Sequence, residues 1–450
     1  MAHASAPIPV PALPSEPVQR FTGPLARFLH IQAASGIVLL IFTVLALFLA
    51  NSQWSEPFLA LWKTKVGFTF GSFEFTHSLK HWINDGLMTI FFFVVGLEVK
   101  REMAVGELRE LRQASLPIAA AIGGMVAPAG LYLAFQAGEP GARGWGIPMA
   151  TDIAFVVGCL ALLGERVPHG LRILMLSLAI VDDIGAILVI AVGYSGALNL
   201  VALALGGAGI AGVLAMQRLG VRSVGLYSIV GVGIWFAFHE SGIHATIAGV
   251  ILGVLTPVRS WVSQGLWTEM ASSAMSFLRG EDAAEAQRRQ VLERVEAASR
   301  ESRSPQERLE GMLHPWVSFV IMPLFAFANA GVPVQLGAFG EPIAVAVMVG
   351  LGVGKPLGVV LACLLAVKLG IARLPERVTW SAIVAGGFLA GIGFTMALFI
   401  AGLALDAELL DTAKIGILGG SALSAVVGMV LLVAVLPKPA GAEAGLAHSQ

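Results

Sequence analysis

The stretch LSLAIVDDIGAILVIAVGY, residues 176–194, decides the fold class, because two adjacent carboxylates stand in the middle of an apolar run. About 20 apolar residues in a helix cross the roughly 30 Å hydrocarbon core of a bilayer. A charged side chain in that core costs about 2.5–3.5 kcal/mol even on a forgiving insertion scale. Asp182 and Asp183 therefore need a functional explanation, since neither lies at a helix end where it could act as a cap.

The composition of the whole chain is that of a membrane protein. Of its 450 residues 56% are hydrophobic and only 13% are charged, and the mean hydropathy is +0.82. The net charge of -1 argues against nucleic acid as a partner, because a duplex-binding surface needs an excess of Lys and Arg. Cys159 and Cys363 both fall in apolar runs, so neither a disulfide framework nor a thiolate metal cluster is predicted.

Apolar runs of spanning length recur along the chain and predict an all-α polytopic membrane protein with about twelve transmembrane helices. The predicted spans are residues 31–51, 83–99, 115–136, 145–164, 171–194, 198–216, 223–238, 243–258, 316–333, 342–367, 379–403 and 412–436.

The distribution of Lys and Arg predicts the orientation. On one side of the spans lie 22 of the 28 basic residues, five lie on the other side, and Lys355 remains inside the membrane. Cytoplasmic loops carry the basic excess, so both termini are expected in the cytoplasm. Residues 1–28, which lack the apolar core of a signal peptide, and 438–450 are expected to be cytoplasmic tails around one transmembrane domain at 29–437.

Two connecting segments are expected to have structure of their own. Residues 66–75, VGFTFGSFEF, alternate apolar residues around Gly71-Ser72 and predict a short external β-hairpin with a primed turn. The long cytoplasmic loop 259–310 contains a charged, helix-favouring stretch that predicts a solvated helix. At the start of span two, Asp85 is expected only to cap the helix.

The aspartate pair has the chemistry of a site that binds either protons or a cation. Successive helical residues point about 100° apart, so Asp182 and Asp183 can face two neighbouring helices around one cavity. Carboxylates suit hard cations such as Na⁺ or Li⁺, and burial beside a like charge raises their proton affinity. The alternative is a buried acid neutralised by Lys355, which is plausible for one aspartate, although one cation cannot neutralise two anions.

Spans four and eleven are expected to be interrupted. Span four has Pro148 shortly before Thr151 and Asp152, and span eleven has the sequence GIG at 391–393. Each is central in a three-span group, 3–5 or 10–12, which is typical of inverted-repeat transporters with broken helices. Glycines used only for close helix packing are the alternative. Broken helices would put opposed partial charges in the membrane, which Asp152 and Lys355 could compensate.

A second group of ionisable residues lies near the cytoplasmic ends of two spans. Glu98, Arg101 and Glu102 share one face of span two, and Glu310 and His314 stand four residues apart at the entry to span nine. Taken alone, each set is typical of an ordinary interfacial charge cluster.

Seven segments carry a resemblance to a known family. They are WINDGLMTIFFFVVGLEVKRE (82–102), ATDIAF (150–155), LAIVDDIGAI (178–187), SGIHATIAGVILG (241–253), LHPWVSFVIMPLFAFANAGV (313–332), GKPLG (354–358) and GIGFTM (391–396). The chain resembles the NhaA-type bacterial sodium/proton antiporters over roughly residues 30–437.

The resemblance implies exchange of Na⁺ or Li⁺ for a larger number of protons across the bacterial inner membrane, regulated by pH, for sodium and pH homeostasis. Asp183 matches the principal cation ligand, with Asp182 beside it. Lys355 matches the lysine that pairs with the Asp182 position and releases it on cation binding. Thr151 and Asp152 match the polar residues where the broken helices cross, and Thr151 is a further candidate ligand.

The resemblance also bears on regulation and assembly. It implies a homodimer through the hairpin at 66–75, and no cofactor beyond the transported ions. Two departures are Gly311, where the best-known member carries a second histidine, and the longer 259–310 loop. The residues that match the pH-sensing region are Glu98, Arg101, Glu102, Glu310 and His314.

Two other functions fit part of the pattern. An intramembrane aspartyl protease also buries two aspartates, but its carboxylates must face each other across about 3 Å, which adjacent helical residues do poorly. A passive cation channel would be excluded if a proton gradient drove Na⁺ uphill. No motif of a soluble enzyme is present, so no enzymatic activity is predicted.

Overall fold

The computed structural model describes residues 32–71, 73–279 and 285–436, which are mostly α-helical. The two predicted cytoplasmic tails, residues 1–28 and 438–450, lie outside the described residues.

The first half of the chain alternates long apolar helices with short connections. Its helices are α1 (Gln32–Ala50), α2 (Ser55–Lys63), α3 (Leu79–Ala104, with a π-helical turn at Trp82–Leu87), α4 (Leu111–Gln136), a 3₁₀ segment (Pro140–Met149), α5 (Ile153–Leu163), α6 (His169–Gly193), α7 (Leu200–Arg218), α8 (Val224–Ser241) and α9 (Thr246–Leu255).

The second half begins with two helices of the long loop and returns to apolar helices. These are α10 (Gln264–Arg279), α11 (Glu285–Glu301), α12 (Pro305–Asn329), α13 (Pro342–Lys368), α14 (Trp380–Ala390), α15 (Phe394–Ala404) and α16 (Ala407–Val435). Helices α12 and α13 each contain one π-helical turn, at Val317–Ile321 and Gly350–Gly354.

Membrane-spanning candidates are fewer than the twelve predicted spans. Within the described residues, eight helices are long and apolar enough to cross a membrane, or up to ten if each bent pair is one span. The bent pairs are α1 with α2, at 113°, and α14 with α15, at 45°. Helix α9 has ten residues, roughly 15 Å, which is too short to cross alone. Helix α8 ends in the polar pair His239-Glu240, which lowers its mean hydropathy.

The predicted β-hairpin is confirmed. Strands β1 (Lys65–Phe70) and β2 (Phe73–Ser78) are antiparallel, with Phe70 opposite Phe73 at the turn. Gly71 has φ +62°, in the left-handed region that a primed turn requires and that glycine adopts without strain.

The start of α3 corrects the role expected for Asp85. The helix begins at Leu79, and Ser78 is its N-cap, accepting a hydrogen bond of 3.2 Å from the backbone N–H of His81. Asp85 lies inside the π-helical turn, more than a turn beyond the cap, so the prediction that it only caps the helix is wrong.

The long loop contains the predicted helix and one more. The charged stretch forms α11, and α10 packs against it although the sequence did not predict it. Arg222, between α7 and α8, forms an ion pair with Glu301 at the end of α11. Its guanidinium carbon also lies 4.8 Å from the centre of the Trp261 ring.

Close packing between α4 and α13 sets the position of the buried lysine. A Cβ atom on Gly123 would lie 2.2 Å from the carbonyl oxygen of Gly358, and one on Gly358 would lie 2.1 Å from that of Gly123. The two backbones therefore touch where only glycine fits. Lys355, about one turn from Gly358, is held there with no exposed side-chain area.

Candidate cation-binding site

Both predicted interruptions are present, and they meet. The 3₁₀ segment ends at Met149, residues 150–152 are extended, and α5 begins at Ile153. In the second broken span α14 ends at Ala390 and α15 begins at Phe394. The backbone N–H of Asp152 donates to the carbonyl oxygen of Ile392 at 2.6 Å. The two breaks therefore cross inside the protein.

The Asp152 carboxylate accepts hydrogen bonds at the N-termini of both helices that begin at the crossing, α5 and α15. Its Oδ1 accepts from the N–H of Phe155 at 3.3 Å, as the N-cap of α5. Its Oδ2 accepts from the N–H of Thr395 at 3.0 Å and from the Thr395 hydroxyl. Helix N-termini carry a partial positive charge, so one fully buried carboxylate compensates two of them.

The carboxyl ends of the other two segments are compensated by donors. The Lys355 ammonium donates to the carbonyl oxygen of Met149, the last residue of the 3₁₀ segment. The Thr151 hydroxyl lies 2.8 Å from the carbonyl oxygen of Ala390, the last residue of α14. Free carbonyls at helix C-termini carry partial negative charge, so these contacts satisfy groups that lipid could not.

Asp182 is joined to the crossing by an ion pair. Its Oδ2 accepts from the Lys355 ammonium, and neither side chain has any exposed area. The same oxygen lies 2.6 Å from the Thr151 hydroxyl, which can give its single proton either to Asp182 or to Ala390. The other carboxylate oxygen, Oδ1, is buried and has no hydrogen-bond partner within the described residues.

Asp183 occupies the next position of α6 and is 2% exposed. In the part of the chain that the structure describes, no hydrogen bond or ion pair joins its carboxylate to another side chain. The charged groups that act on it are Asp182, Glu98, Asp152 and Lys355, three carboxylates and one ammonium. The Asp183 oxygens and Asp182 Oδ1 are therefore the oxygen donors available to a cation.

The second predicted group is only partly brought together. Arg101 forms an ion pair with Glu310 across α3 and α12, and its other guanidinium nitrogen lies 4.0 Å from Glu102. Glu98 is close enough to Arg101, Glu102 and Glu310 for their charges to act on its carboxyl group. His314, by contrast, is exposed and contacts Ser318 Oγ at 3.4 Å.

Two polar residues at the crossing were given no role by the sequence prediction. Thr395 donates twice to Asp152, and Ser421 Oγ accepts from the N–H of Phe394 at 3.1 Å, the first residue of α15. The position of Thr395, two residues after the GIG interruption, was a usable signal. Ser421 lies in an unbroken helix, so only the tertiary structure reveals its contact.

Comparisons with known proteins agree on one family. The family model described as Na⁺/H⁺ antiporter 1 matches residues 26–432. The Na⁺/H⁺ antiporter NhaA of Rhodopirellula baltica is 55% identical over 428 residues, which are 95% of this chain and 97% of that protein. The NhaA of Rhizobium meliloti is 54% identical over 421 residues, 93% and 96% of the two chains. The NhaA 2 of Vibrio vulnificus is 50% identical over 421 residues, 93% and 94%.

Proposed function

Because the chain belongs to the Na⁺/H⁺ antiporter 1 family, it is a multi-pass Na⁺/H⁺ antiporter of the bacterial inner membrane, and we propose that Asp182 and Asp183 form its cation site. Na⁺ and protons are the transported ions, and Li⁺ is proposed as an alternative to Na⁺. No other cofactor takes part in the proposed cycle.

The contacts of the two aspartates suggest a different role for each in binding the cation. Asp183 has three carboxylates and one ammonium acting on it and no partner of its own among the described residues, so it is the primary cation ligand. Asp182 has one oxygen held by Lys355 and the other without a partner. Asp182 therefore joins the site when a cation weakens its bond to Lys355. Thr151, hydrogen-bonded to Asp182, is the third proposed ligand.

Competition for the same oxygens couples the two ions. A cation bound by Asp183 and Asp182 displaces one proton from Asp183 and one from the Asp182–Lys355 pair. More than one proton per Na⁺ makes the exchange electrogenic. Cytoplasmic Na⁺ displaces protons, the site reorients, and protons from the other side displace the Na⁺, as alternating access requires.

The contacts at the crossing fit this cycle because they hold the ends of the half-helices together. Asp152 holds the starts of α5 and α15 together, and Lys355 and Thr151 satisfy the facing carbonyl ends. Reorientation then consists of tilting these half-helices around a fixed pair of aspartates, while the charges at their ends stay compensated.

The decisive experiment measures Na⁺-dependent proton flux in everted membrane vesicles. Asp183→Asn keeps the size of the side chain but removes its charge and its titratable proton. We expect flux to fall at least about 100-fold, which corresponds to about 2.7 kcal/mol, because a neutral amide can neither release a proton nor bind a cation as a carboxylate does. Asp406→Asn is the matched control, because Asp406 is exposed and its side chain makes no cap hydrogen bond. Intact flux in Asp183→Asn, at wild-type protein levels, would reject the proposed site.

Twelve spans and an inverted repeat are proposed on the same basis. The twelve spans are α1, α3, α4, the 3₁₀ segment with α5, α6, α7, α8, residues 243–258 with α9 at their centre, α12, α13, α14 with α15, and α16, in one domain at 29–437. The two proposed repeats, spans 3–5 and 10–12, each contain one broken span. Their first helices, α4 and α13, meet through Gly123 and Gly358 in a mutual contact, as a two-fold relation would require.

Orientation, assembly and regulation complete the proposal. The basic side of the protein and both termini face the cytoplasm, and the apolar spans contact membrane lipid. The hairpin lies on the external side and forms the contact of a homodimer. We assign pH regulation to Glu98, Arg101, Glu102 and Glu310, which lie together, and to His314, which is exposed beside them in sequence. Regulated exchange of this kind contributes to cytoplasmic sodium and pH homeostasis.

A further inference from the structure

Three histidines from three different elements meet beside the hairpin. His77 lies near the end of β2, His81 in the first turn of α3, and His239 in the last turn of α8. Each offers one ring nitrogen, and these atoms all lie within 4.8 Å of one another. The rings of His77 and His81 are stacked with centres 4.2 Å apart, and His239 lies 5.4 Å from each. The three nitrogens thus converge on one point.

A carboxylate lies beside two of the three histidines. Asp85 Oδ2 is 3.6 Å from His81 Nε2 and 3.9 Å from His239 Nδ1, beyond hydrogen-bonding distance from both. His81 Nε2 is buried and has no hydrogen-bond partner within the described residues. A buried polar nitrogen without a partner costs free energy, so this atom points to a ligand or ion that the protein chain itself does not supply.

Ordinary aromatic packing does not explain this arrangement. Trp235 is stacked on His239 with ring centres 5.7 Å apart, and Phe75 borders His77 and His239, so apolar rings already line the outside of the cluster. Inside it, three imidazole nitrogens lie within 4.8 Å of one another, and those of His81 and His239 also lie beside a carboxylate. Uncharged imidazole and carboxylate together are the ligands that bind Zn²⁺ and related transition metals.

We propose that His77, His81, His239 and Asp85 bind one transition-metal ion, with Zn²⁺ the best match. Zn–N bonds of about 2.0–2.1 Å in a tetrahedron separate the ligand atoms by roughly 3.4 Å, so each of the three histidine nitrogens has to move by less than about 1 Å. Asp85, which already lies beside His81 and His239, turns toward His77 to complete the tetrahedron. Three histidines and one carboxylate close the coordination shell, which is typical of a structural zinc site rather than a catalytic one. The site shares no residue with the proposed sodium site and does not depend on it.

The bound ion would join parts of the chain that are far apart in sequence. His77 and His81 belong to the junction between hairpin and α3, whereas His239 is more than 150 residues away on α8. An ion that binds only the folded arrangement stabilises it by mass action, so the melting temperature rises with metal concentration.

The test is direct metal binding by the purified protein, prepared with a purification tag free of histidine and stripped with a chelator. Zn²⁺ is titrated by calorimetry, and Co²⁺ is used as a probe because a tetrahedral Co²⁺ site absorbs visible light. We expect one ion per chain, and at least a 100-fold weaker affinity in His81→Ala and in His239→Ala. Asp85→Asn is expected to weaken binding about 10-fold, because a neutral amide oxygen is a weaker ligand than the carboxylate that it replaces.

His169→Ala is the matched control, because His169 begins α6 and is not part of the cluster. Variants are compared only if, without metal, they elute as single species and melt like the wild type. An alanine variant that fails either criterion is replaced by the glutamine variant of the same residue, for example His239→Gln. No Zn²⁺ binding by the wild type, or equal binding by wild type, His81→Ala and His239→Ala, would overturn the proposal.

Discussion

Two groups of charged residues in this protein use the same chemistry in different surroundings. At the helix crossing, Lys355 and Asp182 form an ion pair in which both side chains are 0% exposed. Near the ends of α3 and α12, Arg101 and Glu310 form an ion pair in which the arginine is 41% exposed. Solvent also stabilises the charges of the second pair, whereas the charges of the first pair are stabilised only by protein groups.

The difference in burial determines how strongly each group responds when a cation or proton binds or leaves. At the crossing each charge has few partners, so adding or removing one cation or proton alters all the others. At the exposed pair, solvent and salt screen each change. Substitutions at the two pairs are therefore expected to differ strongly in their effects on stability and transport.

The largest effect is expected at Lys355. Lys355→Met leaves Asp182 buried without its cation, and breaking a buried pair in this way costs about 3–5 kcal/mol. We expect a large fall in the melting temperature of the purified protein, together with loss of Na⁺-dependent proton flux. Thermal unfolding followed by tryptophan fluorescence, and vesicle flux, measure the two outcomes.

The control is the double variant Lys355→Met with Asp182→Asn. It removes both charges, so most of the lost stability should return although transport should not. If the double variant is as unstable as Lys355→Met alone, the ion pair is not the cause of the instability, and the contrast with the exposed pair loses its basis.

An intermediate effect is expected at Asp152. Asp152→Asn can still accept hydrogen bonds but loses the charge that faces the starts of α5 and α15. Compensation of a helix end is worth about 0.3–1 kcal/mol, and up to about 2 kcal/mol when partly buried, so a loss of about 1–2 kcal/mol is expected for two ends. Thermal unfolding measures it, with Thr395→Ser as the control that keeps the hydroxyl donor. An unchanged melting temperature would show that the charge of Asp152 does not hold the crossing together.

The smallest effect on stability is expected at Arg101. Arg101→Gln removes a half-exposed pair worth about 0.2–1 kcal/mol. Loss of a cation favours protonated forms of the neighbouring carboxyl groups, so the pH that half-activates transport should rise while the maximal rate persists. Flux measured against pH gives both values, and the neighbouring Lys100→Gln serves as control. A profile identical to wild type would remove this cluster from pH regulation.

The sequence predicted the helical class, both interruptions and the hairpin because each rests on local chemistry. Apolar runs predict helices, Pro148 and the GIG segment predict breaks, and Gly71 tolerates the positive φ of the turn. It predicted α11 but not α10, because α10 mixes apolar and polar residues in a way that fits a loop equally well. It also predicted twelve spans where length and composition support eight to ten.

The buried charges of the candidate site could be predicted from the sequence, but the contacts between them could not. Buried Asp182, Asp183 and Lys355 stand out in any apolar sequence, because charges in lipid are costly wherever they occur. Which aspartate Lys355 contacts was open from residue spacing alone, since either one could have been neutralised. The resemblance to a family implied Asp182, and the structure contains that contact.

What the sequence determined by itself is therefore the set of buried charges and weak points in the helices, since burial and backbone preference are properties of single segments. Only the tertiary structure decided which distant groups meet. Asp152 accepts hydrogen bonds from the starts of both α5 and α15, Ser421 of α16 accepts one from the start of α15, and the rings of His77, His81 and His239 come together. The physical reason is distance along the chain: these contacts include pairs of residues 27 to 243 positions apart, which meet only when packing brings their helices together, and no local pattern specifies that meeting.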